Sequence, residues 1–133
     1  MKTLELNGHV YNIGTMTVFD QLQVARRIMP MSAILEAMTN DRNAGKDLTV
    51  LLMMVLGNLS DENHVYVVTK CLSQVSKLEG DKPAKITTPT GELMYAHIDL
   101  QTTVDLVTAV ILENLGGFFH TALSRVAEGA VKL

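Results

Sequence analysis

The amino-acid sequence predicts a mainly α protein: a compact helical domain with a short N-terminal β-hairpin and a second hairpin near residues 85-96. Three observations lead there. Apolar residues recur at three- and four-residue spacing over much of the chain. Good capping residues precede these stretches. An Asn-Gly pair separates two short apolar runs near the start. At 133 residues the chain is expected to form one domain, 1-133, able to bury roughly two thirds of its unfolded surface.

The elements follow in order. In TLELNGHVYNI, residues 3–13, Leu4 and Leu6 stand on one side of Asn7-Gly8 and Val10 and Ile13 on the other. Asn-Gly accepts the positive φ angles of a tight hairpin turn. An isolated hairpin is marginal in water, so it must lie on helices or on another chain. Gly14 breaks the pattern, and TVFDQLQVARRIMP, residues 17–30, forms the first helix. Val18, Leu22, Ala25 and Met29 share one face, and Asp20, Gln21, Gln23 and Arg27 the other. Thr17 is the N-cap, Asp20 sits at the positive helix end, and Arg26 and Arg27 sit near the negative one. Pro30 ends or kinks the helix, which MSAILEAM resumes to Met38.

TNDRNAGKD, residues 39–47, is a polar loop ending at a capping Asp47. The next helix, LTVLLMMVLGNL, is apolar nearly all round, as a central helix or one burying two faces would be. Ser60 caps a helix opened by Asp61 and Glu62, with Val68, Cys71, Val75 and Leu78 as its stripe. EGDKPAK, residues 79–85, reads as a loop, and KITTPTGELMY after it as a second hairpin or a structured loop. Asp99 caps the last long helix, whose stripe is Val107, Ile111, Leu115, Phe118, Ala122 and Val126. The stripe keeps its phase through Gly116-Gly117, so close backbone approach or a bend is expected to offset the glycine cost of about 1 kcal/mol each.

Composition excludes several functions. A net charge of -3 and a pI near 5.7 leave no clustered basic footprint for nucleic acid. The longest apolar run, residues 50–56, is far short of the about 20 residues that span a bilayer. A single cysteine and no apolar signal core at MKTLELNGH fit a reducing cytoplasm. Cys71 reads as a small core residue and not as a nucleophile. His9, His64, His97 and His120 lie on separate elements without the spacing of metal ligands, and no phosphate loop is present. Asp61, Glu62 and Asp105 read as caps or solvated charges. No catalytic, cofactor or metal residue is assigned.

What remains is apolar surplus. Hydrophobic residues make up 47% of the chain, with mean hydropathy +0.21. A well-filled core or surface covered by a partner would each account for it. The candidate partner contacts are Phe19, Arg26, Arg27, Met53, Met54, Phe118 and Phe119. Methionine adapts to varied apolar partners but also fills ordinary cores, and arginine grips carboxylates but is commonly solvated at a helix end.

The order of these pieces resembles the tail assembly chaperones of long-tailed bacteriophages and prophages. The likeness runs from the Asn-Gly strand through FDQLQVARRIMP and DENHVYVVTKCLSQV to DLQTTVDLVTAVILENLGGFF. Phe19, Val24, Ala25, Arg26, Arg27 and Pro30 carry most of it, and Asn114, Leu115, Phe118 and Phe119 a weaker part. The resemblance implies a non-enzymatic, mostly helical protein without cofactors that binds the tape-measure protein before the tail tube polymerises around it. The tail tube protein is an expected second partner, and a homo-oligomer is expected. It also implies action in the host bacterial cytoplasm and absence from the mature virion. Members often have a longer product made by ribosomal frameshifting; this chain, ending AEGAVKL, looks like the shorter one. The alternatives are a tail completion or connector subunit retained in the virion, and a small cytoplasmic enzyme using the unplaced histidines.

Overall fold

A computed structural model of the chain describes residues 2–28 and 56–127, with side chains as far as Gly117. Strands β1 (Lys2–Leu6) and β2 (His9–Ile13) pair antiparallel with Leu6 opposite His9. The intervening Asn7 and Gly8 have φ of 53° and 81°, the two positive values that a type I′ turn requires. Helix α1 (Val18–Ile28) follows, and later α2 (Asp61–Leu72). The Ser60 side chain accepts the Asn63 N–H at 3.2 Å, the expected cap. Strands β3 (Val75–Glu79) and β4 (Lys82–Lys85) then complete a sheet of order β1-β2-β3-β4, and α3 (Leu100–Ala127) closes the described fold.

The fold is therefore mixed α and β, not mainly α, because a second hairpin joins the first in one four-stranded antiparallel sheet. That hairpin lies at 75–85 and not near 85-96. The stripe Val68, Cys71, Val75, Leu78 suits a helix, yet α2 stops at Leu72. The Ser73 N–H bonds the Thr69 carbonyl and the Ser73 hydroxyl bonds the Lys70 carbonyl at 2.6 Å, which closes the helix. Beyond it, Ile13 pairs with Val75 and Tyr11 with Lys77. The loop Gly80-Asp81 supplies the turn, with Gly80 at φ +66°, as two-residue loops led by glycine do. Pro83 is tolerated because β4 is an edge strand. Residues 85-96 instead form a structured loop with one bridge, Thr87 to Leu93, around a turn in which the Gly91 N–H bonds the Thr88 carbonyl.

Alternation along β2 and β3 sends Tyr11, Ile13 and Val75 to one face, all fully buried. Helices α1, α2 and α3 cover that face, with Val24, Ile28, Val67, Leu106 and Val110 in the same core. The Asp99 carboxylate accepts the Thr102 N–H at 2.9 Å and caps α3. This hydrogen bond, more than any other contact, holds the Asp99 carboxyl below its ordinary range. Val107, Ile111 and Leu115 are buried as the stripe requires. The helix resumed to Met38 and the apolar helix 48–59 fall mostly outside the described residues.

Cys71 is buried and free, and burial pushes its thiol up to about 12. Since the thiolate is the reactive form, a disulfide reagent at pH 8 should label the native protein far more slowly than the urea-unfolded chain. Equal rates would show that Cys71 is open to solvent. Gly116 and Gly117 sit within continuous α3, but among the described residues the expected close approach is missing: an added Cβ at Gly117 meets none of them within 4 Å, and at Gly116 only a Leu112 methyl at 3.9 Å. Gly117→Ala should therefore stabilise the fold by about 1 kcal/mol, measured by urea unfolding.

Candidate functional site

The first turn of α1 is held by Thr17, whose hydroxyl accepts the Asp20 N–H at 3.2 Å. The helix then meets the core through Val24, Ala25 and Ile28. At ~100° per residue this inward face is turned by roughly 80° from the face that Val18, Leu22, Ala25 and Met29 define. Ala25 enters the core, while Val18 and Leu22 are 75% and 58% exposed; Met29 lies outside the described residues. Phe19, at 80%, is also exposed. Three apolar side chains in the first two turns of α1 thus face outward.

Beside them lies a recess of 170 Å³ between α1 and α3, lined by Val18, Gln21, Leu22, Ala25, Asn114 and Leu115. An apolar cavity of about 150 Å³ admits a benzene-sized group. The recess thus suits one leucyl or aromatic side chain from another helix, in the manner of a knob entering a hole.

Asn114 sets the geometry of this groove. Its Oδ1 accepts the Met16 N–H at 2.7 Å and the Gln21 side-chain amide at 3.4 Å. Its Nδ2 donates to the Gly14 carbonyl at 3.2 Å and to the Val110 carbonyl at 2.9 Å. All four hydrogen-bonding capacities of the amide are therefore used, and they fix the 14–16 linker and the start of α1 to the middle of α3. The Gly14 N–H also bonds the Gln74 carbonyl at 2.8 Å, and a Cβ at Gly14 would stand 3.0 Å from that oxygen. The backbone passes here where only glycine fits without displacement.

The two arginines separate. Arg26 is exposed, its Nε donating to Gln23 Oε1 at 2.9 Å. Arg27 Nη1 donates to the Gln23 carbonyl and side chain, and its guanidinium carbon lies 3.7 Å from the centre of the Tyr66 ring. This cation–π contact, with the Asp20–Lys70 pair at 3.6 Å, joins α1 to α2. Met53 and Met54 lie outside the described residues. Phe118 and Phe119 belong to the backbone of α3, and their side chains lie outside the described set.

The other polar residues show where charge gathers. Asp61 and Glu62 occupy the first turn of α2, and Asp105 accepts from the Gln101 amide at 3.0 Å. His64 is exposed on α2, whereas His9 and His97 stack on one another, a pairing that no local spacing announces. Among the described residues no group of three or more His, Cys, Asp or Glu side chains is placed to hold a metal. No helix among them is long and apolar enough to cross a membrane.

A family model described as phage tail assembly chaperone protein, TAC, matches residues 7–127. No curated protein and no solved structure matches the chain.

Proposed function

Because the chain belongs to the phage tail assembly chaperone family, we propose that it binds apolar helical stretches of the tape-measure protein before the tail tube polymerises. The supporting observation is the outward display of Val18, Phe19 and Leu22 beside the α1–α3 recess. A long protein with apolar stripes later sheltered inside a tube is prone to aggregate before assembly. A helix laid into the groove would bury its stripe, with one large side chain in the recess against Leu115. The reading is non-enzymatic: the groove offers apolar surface and two amides, Gln21 and Asn114, bonded to each other, not an acid–base pair.

Many such stretches along one client favour several chaperone copies, and contacts between copies would add avidity. Self-association and a further contact with the tail tube protein belong to this proposal, as does action in the host cytoplasm with release before the virion matures. Co-expression with the tape-measure protein of the same phage tests it. The client should become soluble and co-purify, and the chaperone should be missing from mature virions by mass spectrometry. An equally insoluble client would contradict the proposal, and retention in the particle would favour a structural subunit.

A further inference from the structure

At the end of the sheet away from the groove, His9 of β2 and His97 of the loop before α3 lie face to face, their ring centres 3.9 Å apart and their planes within 20°. The hydroxyl of fully buried Tyr11 stands 3.2 Å from His97 Nε2, and Tyr95 tilts against the same ring at 5.6 Å. We propose that this stack is a proton-controlled clasp: with neutral rings it ties residues 95–97 to the β1–β2 hairpin, and when both rings are protonated it opens. Ile86 and Ile98 are buried, so the loop stays anchored at both ends and moves between them.

Protonation of both rings sets like charges against each other at stacking distance. His97 is exposed, so a proton reaches its ring from solvent. Burial holds the Tyr11 phenol above its ordinary range, so its hydroxyl keeps its proton and can either donate to or accept from His97 Nε2.

The surrounding charges come from β2, β3 and the loop. Lys77 of β3 pairs with Glu79 at 2.8 Å and lies 5.4 Å from the Tyr95 ring centre. That hydrogen bond raises the Lys77 ammonium and lowers the Glu79 carboxyl. Asp99 is committed to Thr102. Both carboxylates therefore keep their charge in mild acid. Lost hydration comes first, then His9 and Lys77, in pushing His97 below the 6.5 of a free imidazole, with Glu79 opposing them. A lowered imidazole pKa means that the folded state binds the proton less well than the unfolded chain. The clasp therefore contributes fully above pH 6.5 and is lost as pH falls through the folded value.

The test is amide hydrogen exchange of residues 93–98 at pH 8 and pH 5, corrected for intrinsic rates, in the wild type and in His9→Phe. Wild-type protection should fall at the lower pH, about tenfold for each pH unit by which the folded ring resists protonation. His9→Phe keeps a stacked ring without the second charge and should hold the loop closed at both values. Equal protection at both pH values in the wild type, or the same loss in His9→Phe, would overturn the clasp. Should His9→Phe fail to fold, imidazole NMR of the wild type decides: His97 titrating below 6.5 supports the clasp, and titration at or above that value refutes it.

Discussion

Val18→Asp with Leu22→Asp should abolish capture of the tape-measure client while leaving the fold intact. Both side chains are mostly exposed on α1, and exposed substitutions of this kind change stability by about 0.5 kcal/mol or less. A carboxylate in the first turn also agrees with the helix dipole. Bound to an apolar helix, however, each residue would bury surface worth roughly 1.5–3 kcal/mol, and each aspartate would instead place a charge against it. Affinity should therefore drop by at least about a hundredfold. Circular dichroism and urea unfolding check the first half, and client solubility on co-expression the second. Undiminished capture would mean that the client binds elsewhere.

Asn114→Leu should produce the largest loss of stability. Leucine is close in size but replaces four hydrogen bonds, and the Met16 N–H and the Gly14 carbonyl lose their Asn114 partner. A net of about 0.5–1 kcal/mol per bond gives roughly 2–4 kcal/mol. For a domain of this size that amounts to a fall in melting temperature of roughly 10 °C. Client binding should weaken as well, because α1 loses its register on α3 and the recess its shape. Asn114→Asp distinguishes hydrogen bonding from packing: it keeps the acceptor but faces two carbonyl oxygens with a carboxylate, and should be similarly destabilised. Normal stability in both variants would remove Asn114 from its role as the anchor of α1.

The sequence showed most clearly what local chemistry decides. Asn7-Gly8 has few alternatives to a tight hairpin, Ser60, Thr17 and Asp99 are caps by their own side chains, and Cys71 is buried as a small apolar residue would be. The second hairpin was hidden because Val68, Cys71, Val75 and Leu78 fit a helical stripe while Val75, Lys77 and Glu79 also alternate as a strand. Gly80-Asp81 was the signal that separates the two readings, and Pro83 hid it by making β4 look like loop. That ambiguity turned an α and β fold into a mainly α expectation.

The site was less legible for a different reason. Whether Val18 and Leu22 or Val24 and Ile28 face inward depends on where α3 and the sheet lie, which helical spacing does not report. Asn114 gains its role from Gly14, Met16 and Gln21, all distant in sequence, and the His9–His97 stack is likewise tertiary. Among the candidate contacts, Phe19 and Arg26 face solvent and Arg27 spans to Tyr66.

Site-directed photocrosslinking tests the groove most directly. A photoreactive benzoylphenylalanine in place of Leu22 would sit at the recess, and one in place of Lys82 would sit on the far edge strand. With the tape-measure protein co-expressed, the probe at Leu22 should crosslink to its apolar helical stretches and the probe at Lys82 should not. Crosslinks from Lys82 with none from Leu22 would contradict the account.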